Sequence, residues 1–265
     1  LYKYRSCGEV MQVERRNRFS VETLEESFMK DGKIKIIACA TVLEEMLPLM
    51  PPEQAYEVLD FGLHLRPKSL KEALQEAIDA AAAEYDIIIL GYGLCSMAVV
   101  GLKANDCTIV IPRVDDCIAC FLGSQESYME QQRKEPGTYY LTKGWIEVSD
   151  TLLDEYKRMV KKYGDKTADR LMRIMLKNYK RLVYIDTGVT DQERYRSYAR
   201  DVAGQFNLRF EEMTGSNALI QKMMAQDWDT DFVVARPGEE VAYADFKTST
   251  KTAANLNLYQ TKPTI

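Results

Sequence analysis

Short apolar runs alternate with stretches of helical period along most of this chain. KIKIIAC, AYEVLDFG, DIIILGYG and CTIVIPR are predicted strands, with TVLEEMLPL and LKEALQEAIDAAAAEY as helices among them. Strands buried on both faces show continuous apolar runs, and the helices covering them show a period near 3.6, so this order predicts parallel βα units. A second series comes later in the chain: RLVYIDTG, a helix around TDQERYRSYARDVA, the strand FNLRFEE, a helix around SNALIQKMM, and a strand within DTDFVVARPGEE. The expected class is α/β with a Rossmann-like parallel β/α architecture. The repeated order describes either two pseudo-repeated lobes facing a cleft or one sheet whose halves share a pattern; facing lobes are slightly preferred. On that reading 1–32 is an N-terminal arm, 33–145 the first lobe, 146–180 a helical crossover, 181–240 the second lobe and 241–265 a tail.

Parallel sheets bind ligands outside the carboxyl ends of their strands, so the residues just past each apolar run matter most. Cys39 closes the first run, ahead of a helix start whose amides favour a thiolate. Cys95 follows Gly91-Tyr92-Gly93-Leu94, where the glycines permit a tight turn and close ligand approach. Cys117 follows Arg113-Val114-Asp115-Asp116, with a turn or helix beginning near the aspartates. Cys120 lies about one helical turn further on; only one of the pair is expected to face a cleft, and Cys117 is favoured. CIAC lacks the second nearby CxxC of a local zinc knuckle. Cys7 and Cys107 have no comparable placement, and Cys107 begins a buried strand.

His64 is the only histidine, after the second run. It is either a packed side chain or a metal ligand and proton carrier. Tyr92 would donate a proton, bind an oxyanion or cap the pocket. Arg113, Asp115 and Asp116 offer charge control or form a surface cluster. In the second series, Asp186 and Gly188 form a strand-end turn suited to a polar ligand, and Arg236-Pro237-Gly238 occupies a similar position. YYLTKGW is either an aromatic platform or packing between lobes. The basic run at Lys177, Lys180 and Arg181 is expected to be a solvated helix end.

Composition narrows the classes. The chain has 265 residues, 46% of them hydrophobic and 28% charged, as in ordinary globular proteins. A net charge of −5 gives no support for nucleic-acid binding. No apolar stretch reaches the roughly 20 residues that span a bilayer, and the opening residues are too polar for a signal-peptide core. A cytoplasmic protein with mostly reduced cysteines is the expectation. GYGLC is neither a phosphate loop nor the dinucleotide fingerprint.

IIAC, LDFGLH, ILGYGLCS, VIPRVDDCI, LGS and PGTYYLTKGW together resemble the DUF1638 family of uncharacterised proteins, over roughly residues 33–235. The family's pattern includes Cys39, His64, Cys95 and Cys117. In relatives, VIPRVDDCI corresponds to an Arg–x–His–Asp–Cys arrangement, so Asp115 stands here where a histidine is expected. The resemblance also implies association with corrinoid-dependent methyl-transfer systems.

From the residues, Cys39, Cys95 and Cys117 would hold zinc or an iron–sulfur cluster, with His64 as fourth ligand or proton donor. His64, Tyr92 and Asp116 are the catalytic candidates; Gly91, Gly93, Arg113, Asp186 and Gly188 are the cofactor-binding candidates. The leading expectation is a metal- or iron–sulfur-dependent enzyme acting on a small polar metabolite, with a corrinoid interaction drawn from the resemblance. The alternative is a noncatalytic cofactor-binding or accessory protein whose partner is a corrinoid protein or methyltransferase. No membrane partner is expected.

Overall fold

The computed structural model describes residues 32–95, 97–188 and 192–247. The N-terminal arm with its helix VETLEESFM, Cys7 and the tail beyond 247 lie outside the described residues. The first apolar run forms β1 (Ile34–Cys39). It lies between β2 (Ala55–Leu59) and β3 (Ile87–Gly91), parallel to both, with Ile36 opposite Tyr56 on one side and Ile89 on the other. β5 (Thr108–Pro112) extends the sheet in parallel. Ile36, Ile37, Ile88, Leu90, Ile109 and Val110 are fully buried, which explains why these runs do not alternate.

Helix α1 (Ala40–Met46) leaves β1 directly. A 3-10 turn over Phe61–Leu65 follows β2 and leads into α2 (Pro67–Ala82). Pro67 opens α2, where a missing N–H costs nothing. Leu70, Leu74, Ala77, Ile78 and Ala81 form its buried stripe. Gly91 lets β3 approach β1: a Cβ there would lie 2.5 Å from Ala38 Cβ.

A further sheet contains β6 (Thr138–Leu141), β7 (Arg181–Asp186) and β8 (Arg209–Thr214), all parallel. Between β5 and β6 lie α3 (Cys117–Phe121) and α4 (Gln125–Lys134). Between β6 and β7 lie α5 (Lys143–Val148), α6 (Leu152–Tyr163) and α7 (Asp165–Met175), and α8 (Gln192–Gln205) joins β7 to β8. Leu141, Leu182, Tyr184, Ala199 and Val202 belong to the core of this part.

One strand reading changes, and one strand is unexpected. DTDFVVA, expected as the last strand of the second series, forms β9 (Phe232–Ala235) and pairs antiparallel with β5 in the larger sheet. TYYL, read as part of an aromatic cluster within the 33–145 span, forms β6 and pairs with β7. After α9 (Ala218–Met224), Lys222 bridges Asp229 at 2.8 Å and Asp231 at 2.6 Å, and Trp228 Nε1 donates to the Met223 carbonyl at 3.1 Å. These contacts turn the chain back so that β9 covers the edge of β5. An apolar run records that a strand is buried, not which edge it joins. The protein is thus α/β, with a mostly parallel five-stranded sheet in the order β2-β1-β3-β5-β9. The turn at Arg236-Pro237-Gly238 carries the chain on to β10 (Glu239–Glu240), which pairs with β4 (Lys103–Ala104).

Arg181 is not part of a solvated helix end. It opens β7 and is buried; its Nε donates to Thr138 Oγ1 at 2.8 Å and its guanidinium pairs with Glu211, tying the three strand starts together. Lys177 and Lys180 are exposed as expected.

The two sheets meet where their strands end. Ser216 N, just past β8, donates to the Phe121 carbonyl at 2.8 Å, and Leu122 pairs with Ser216 as an isolated parallel bridge. On α5, a Cβ at Gly144 would lie 2.9 Å from the Thr41 carbonyl and 3.1 Å from Glu44 Cβ, so α1 and α5 touch closely.

Candidate functional site

Cys39 ends β1 and is buried. Burial raises its pKa to about 11, against the smaller opposing pull of the Val42 and Thr41 amides and the Thr41 hydroxyl. The expected thiolate-favouring effect of the helix start is present but loses to desolvation. Cys95 adopts a left-handed backbone (φ 44) in the loop after β3. That loop is pinned to the one after β5: Leu94 N donates to the Val114 carbonyl at 2.9 Å and Cys95 N to the Asp115 carbonyl at 3.1 Å. The Cys95 thiol is pushed up to about 12, first by burial and then by Cys39.

Cys117 is the first residue of α3, which Asp116 caps by accepting from Ile118 N at 2.9 Å. Burial pushes the Cys117 thiol well up, followed by Cys39, Asp116, Cys95 and Cys120. Burial likewise raises Cys120, followed by Cys95, Asp116 and Cys39. Thiols from the ends of β1, β3 and β5 therefore lie within reach of one another's charge. Cys120, three residues further along the same helix face, is also buried and is coupled electrostatically to Cys95 and Cys39. Cys107 precedes β5, at the other end of that strand, where burial and then Asp79 and Asp106 raise its pKa to about 11.

Tyr92 and His64 sit beside the thiols. Tyr92 is 1% exposed and its Oη has no hydrogen-bond partner among the described residues. Burial raises its pKa strongly, with Cys39, Cys95 and Cys117 adding to the rise. His64 stacks between Phe61 and Tyr92, at ring-centroid distances of 5.2 and 5.8 Å. Its Nδ1 lies 3.1 Å from the Phe61 carbonyl, which can only accept, so Nδ1 carries the proton and Nε2 holds the lone pair of the neutral ring. Burial lowers the His64 pKa and keeps the ring neutral.

Other candidates have defined partners. Asp116 Oδ2 accepts from the Tyr128 hydroxyl at 2.8 Å, and burial raises its pKa. Asp115, at the position of the family's histidine, is exposed and accepts from Gln125 Nε2 at 2.7 Å. Arg113 donates to the Phe232 carbonyl at 2.8 Å and to the Asp245 carbonyl, strapping the end of the described chain to β9. The glycine approaches are to protein: a Cβ at Gly93 would lie 2.6 Å from the Val114 carbonyl, as Gly91 meets Ala38. Asp186 ends β7, accepts from Gly188 N at 2.9 Å and lies 3.8 Å from Arg196. Arg236 is in an exposed turn. Trp145 meets Phe61 edge-on at 5.8 Å and helps line a groove of about 710 Å³ that also includes Asp116, Tyr128, Tyr139 and Tyr140.

Residues 58–224 match the DUF1638 family, whose description is "Protein of unknown function". The chain belongs to the DUF1638 family. The matched span of this DUF1638 protein includes His64, Tyr92, Cys95, Asp116, Cys117 and Cys120; Cys39 precedes it. Comparison with curated proteins and with solved structures returns no match.

Sequence reasoning missed Thr41, Glu45, Tyr184 and Thr187. Each has a buried side-chain oxygen that makes no well-formed hydrogen bond among the described residues. Glu45 sits in a segment read only as a short helix, and its burial against α5 has no sequence signal. The soft donors of the thiol cluster suit zinc or an iron–sulfur cluster by type. Among the described residues, no three Cys, His, Asp or Glu side chains already have the spacing of a metal site.

Proposed function

We propose that this DUF1638 protein is a thiol-centred metal or iron–sulfur enzyme acting on a small polar metabolite. What supports this reading is that Cys39 ends β1, and Cys95 and Cys117 follow β3 and β5, three adjacent parallel strands, with the stacked His64 and Tyr92 rings at the same ends. Cys39, Cys95 and Cys117 would be the principal ligands, with Cys120 supporting and His64 Nε2 as a further donor or proton carrier. A bound soft metal would supply Lewis-acid polarisation or a thiophilic binding point. Tyr92, unpartnered at Oη, would orient the substrate, and Asp116 holds the start of the helix that carries Cys117. The reading takes the two sheets as Rossmann-like lobes around a shared cleft and places the protein in the cytoplasm. A corrinoid protein or methyltransferase as partner rests on family resemblance.

The test is metal and sulfide content, with an absorption spectrum, on protein purified without oxygen or chelator. Near-stoichiometric iron and sulfide with charge-transfer absorption supports a cluster, and one zinc per chain supports a Cys/His site. Absence of both from well-folded protein overturns the metal reading. Cys95→Ser and Cys117→Ser should each weaken metal binding by about tenfold or more, since even outer ligand-supporting groups contribute that much. Stoichiometric cofactor binding without turnover would make the protein an accessory rather than an enzyme.

A further inference from the structure

Beside the thiols lies a set of buried polar groups that the metal reading does not use. Thr41 and Glu45 are one turn apart on α1, 0% and 6% exposed. Tyr184, 0% exposed, and Thr187 come from the end of β7. Among the described residues, Thr41 Oγ1, Glu45 Oε1, Tyr184 Oη and Thr187 Oγ1 make no well-formed hydrogen bond. The groups are neighbours: the Thr187 hydroxyl, Lys143 and the Gly144 amide oppose the effect of burial on the Glu45 carboxylate, the charge of Glu45 reaches Tyr184, and the Thr41 hydroxyl approaches the Cys39 thiol closely enough to lower its pKa. Buried polar groups in native proteins are paired almost without exception, so several orphans gathered at strand ends mark a place for a polar ligand.

We propose that Thr41, Glu45, Tyr184 and Thr187 form the organic-ligand subsite beside the thiols, and that it takes a small molecule bearing a protonated amine. The proposal rests on reading these strand ends as the ligand site and is independent of which metal the thiols hold.

Charge selects the class. Lys143 is already shared by Glu44 at 3.3 Å and Glu147 at 3.5 Å. Arg196 is held by Glu193 and Glu212, both at 2.6 Å, and lies 3.8 Å from Asp186. Both nearby cations are thus shared among carboxylates, Lys143 also pulling on Glu45, while Glu45 Oε1 makes no hydrogen bond among the described residues. An anionic ligand would meet Glu44, Glu45, Glu147 and Asp186 with no spare cation. An ammonium group offers three donors, matching one carboxylate oxygen and hydroxyls that can accept.

The test is binding to the full chain, followed by amide NMR shifts, of ethylammonium, ethanol and acetate as cationic, neutral and anionic probes at constant ionic strength. Saturable ethylammonium binding of about millimolar strength is expected for so few atoms. Ethanol should bind at least about tenfold more weakly, and Glu45→Gln should weaken ethylammonium by about tenfold or more, the scale of a lost charge-assisted hydrogen bond. If Glu45→Gln does not fold, Thr187→Val at a half-buried position carries the test, with a loss of about threefold or more. The proposal is overturned by no saturable ethylammonium binding, by equal binding of acetate, or by unchanged affinity in the folded variants. Metal content is read separately on the same preparations. Amine binding without metal would overturn the thiol-centre reading and leave this one standing; metal without amine binding would do the reverse.

Discussion

His64 stacks on Tyr92 with ring centroids 5.8 Å apart and planes 23° from parallel. A 3-10 turn after β2 and the loop after β3 supply the two rings, so the strands on either side of β1 build the contact. It places the only imidazole in the chain against a phenol that feels three of the thiols.

A single histidine makes its titration directly readable. In metal-free protein the His64 imidazole signal should titrate below the usual 6.5, because burial disfavours the charged ring. With the folded pKa lowered, its contribution to stability is present above the unfolded pKa near 6.5 and is lost as pH falls from there toward the folded value. His64→Phe should keep the stack and flatten this acid limb in denaturant titrations. A wild-type midpoint at or above 6.5 would contradict the burial of the ring.

The thiols act in the opposite window. Their folded pKa values lie above the ordinary 9.0, at about 11 for Cys39 and about 12 for Cys95. Metal-free reduced protein should therefore hold its stability up to pH 9 and lose it progressively between 9 and 11–12, as the unfolded chain ionises first. Cys95→Ala should shallow that alkaline loss. Metal uptake at neutral pH must displace these protons, so apparent affinity should fall about tenfold for each thiol bound with every unit by which pH is lowered. Proton release measured during zinc titration checks this.

The contact of Gly91 with Ala38 tests the packing beneath the site. Gly91→Ala would bring two Cβ atoms to 2.5 Å between adjacent central strands. The expected loss is about 1–3 kcal/mol, the usual cost of overpacking a core. Adding Ala38→Gly should recover part of it, and a double-mutant cycle by urea denaturation would show that coupling. Additive losses would mean that the two positions do not share the strain.

Glu45 is a buried carboxylate whose pKa burial raises. The folded state then holds the proton more tightly than the unfolded chain, so this group favours folding as pH falls through the folded pKa and opposes it above. Glu45→Gln should stabilise the ligand-free protein at pH 7, on the order of 1 kcal/mol as for typical single changes, and by less at pH 4. Chemical denaturation at the two pH values checks the sign.

Sequence alone determined the α/β class, the positions of most helices and strands, and the placement of cysteines at strand ends. Continuous apolar runs and helical periods are local consequences of burial, and the chain writes them out in order. Asp116 shows the same legibility: an aspartate ahead of CIAC predicts a helix start, and it caps α3. Strand partnership was decided only by the tertiary structure. FVVA and TYYL carry no mark of the edge they join, and β9 reaches β5 because the Lys222–Asp229–Asp231 contacts turn the chain. Arg113 and Asp186 look alike in sequence as strand-end polar residues, yet Arg113 straps Phe232 and Asp245 while Asp186 holds the Gly188 amide and lies beside Arg196. Glu45 and Tyr184 are 139 positions apart in the sequence, yet in the fold the charge of Glu45 reaches the Tyr184 hydroxyl. Proximity of that kind is set by packing between sheets, which no local pattern encodes.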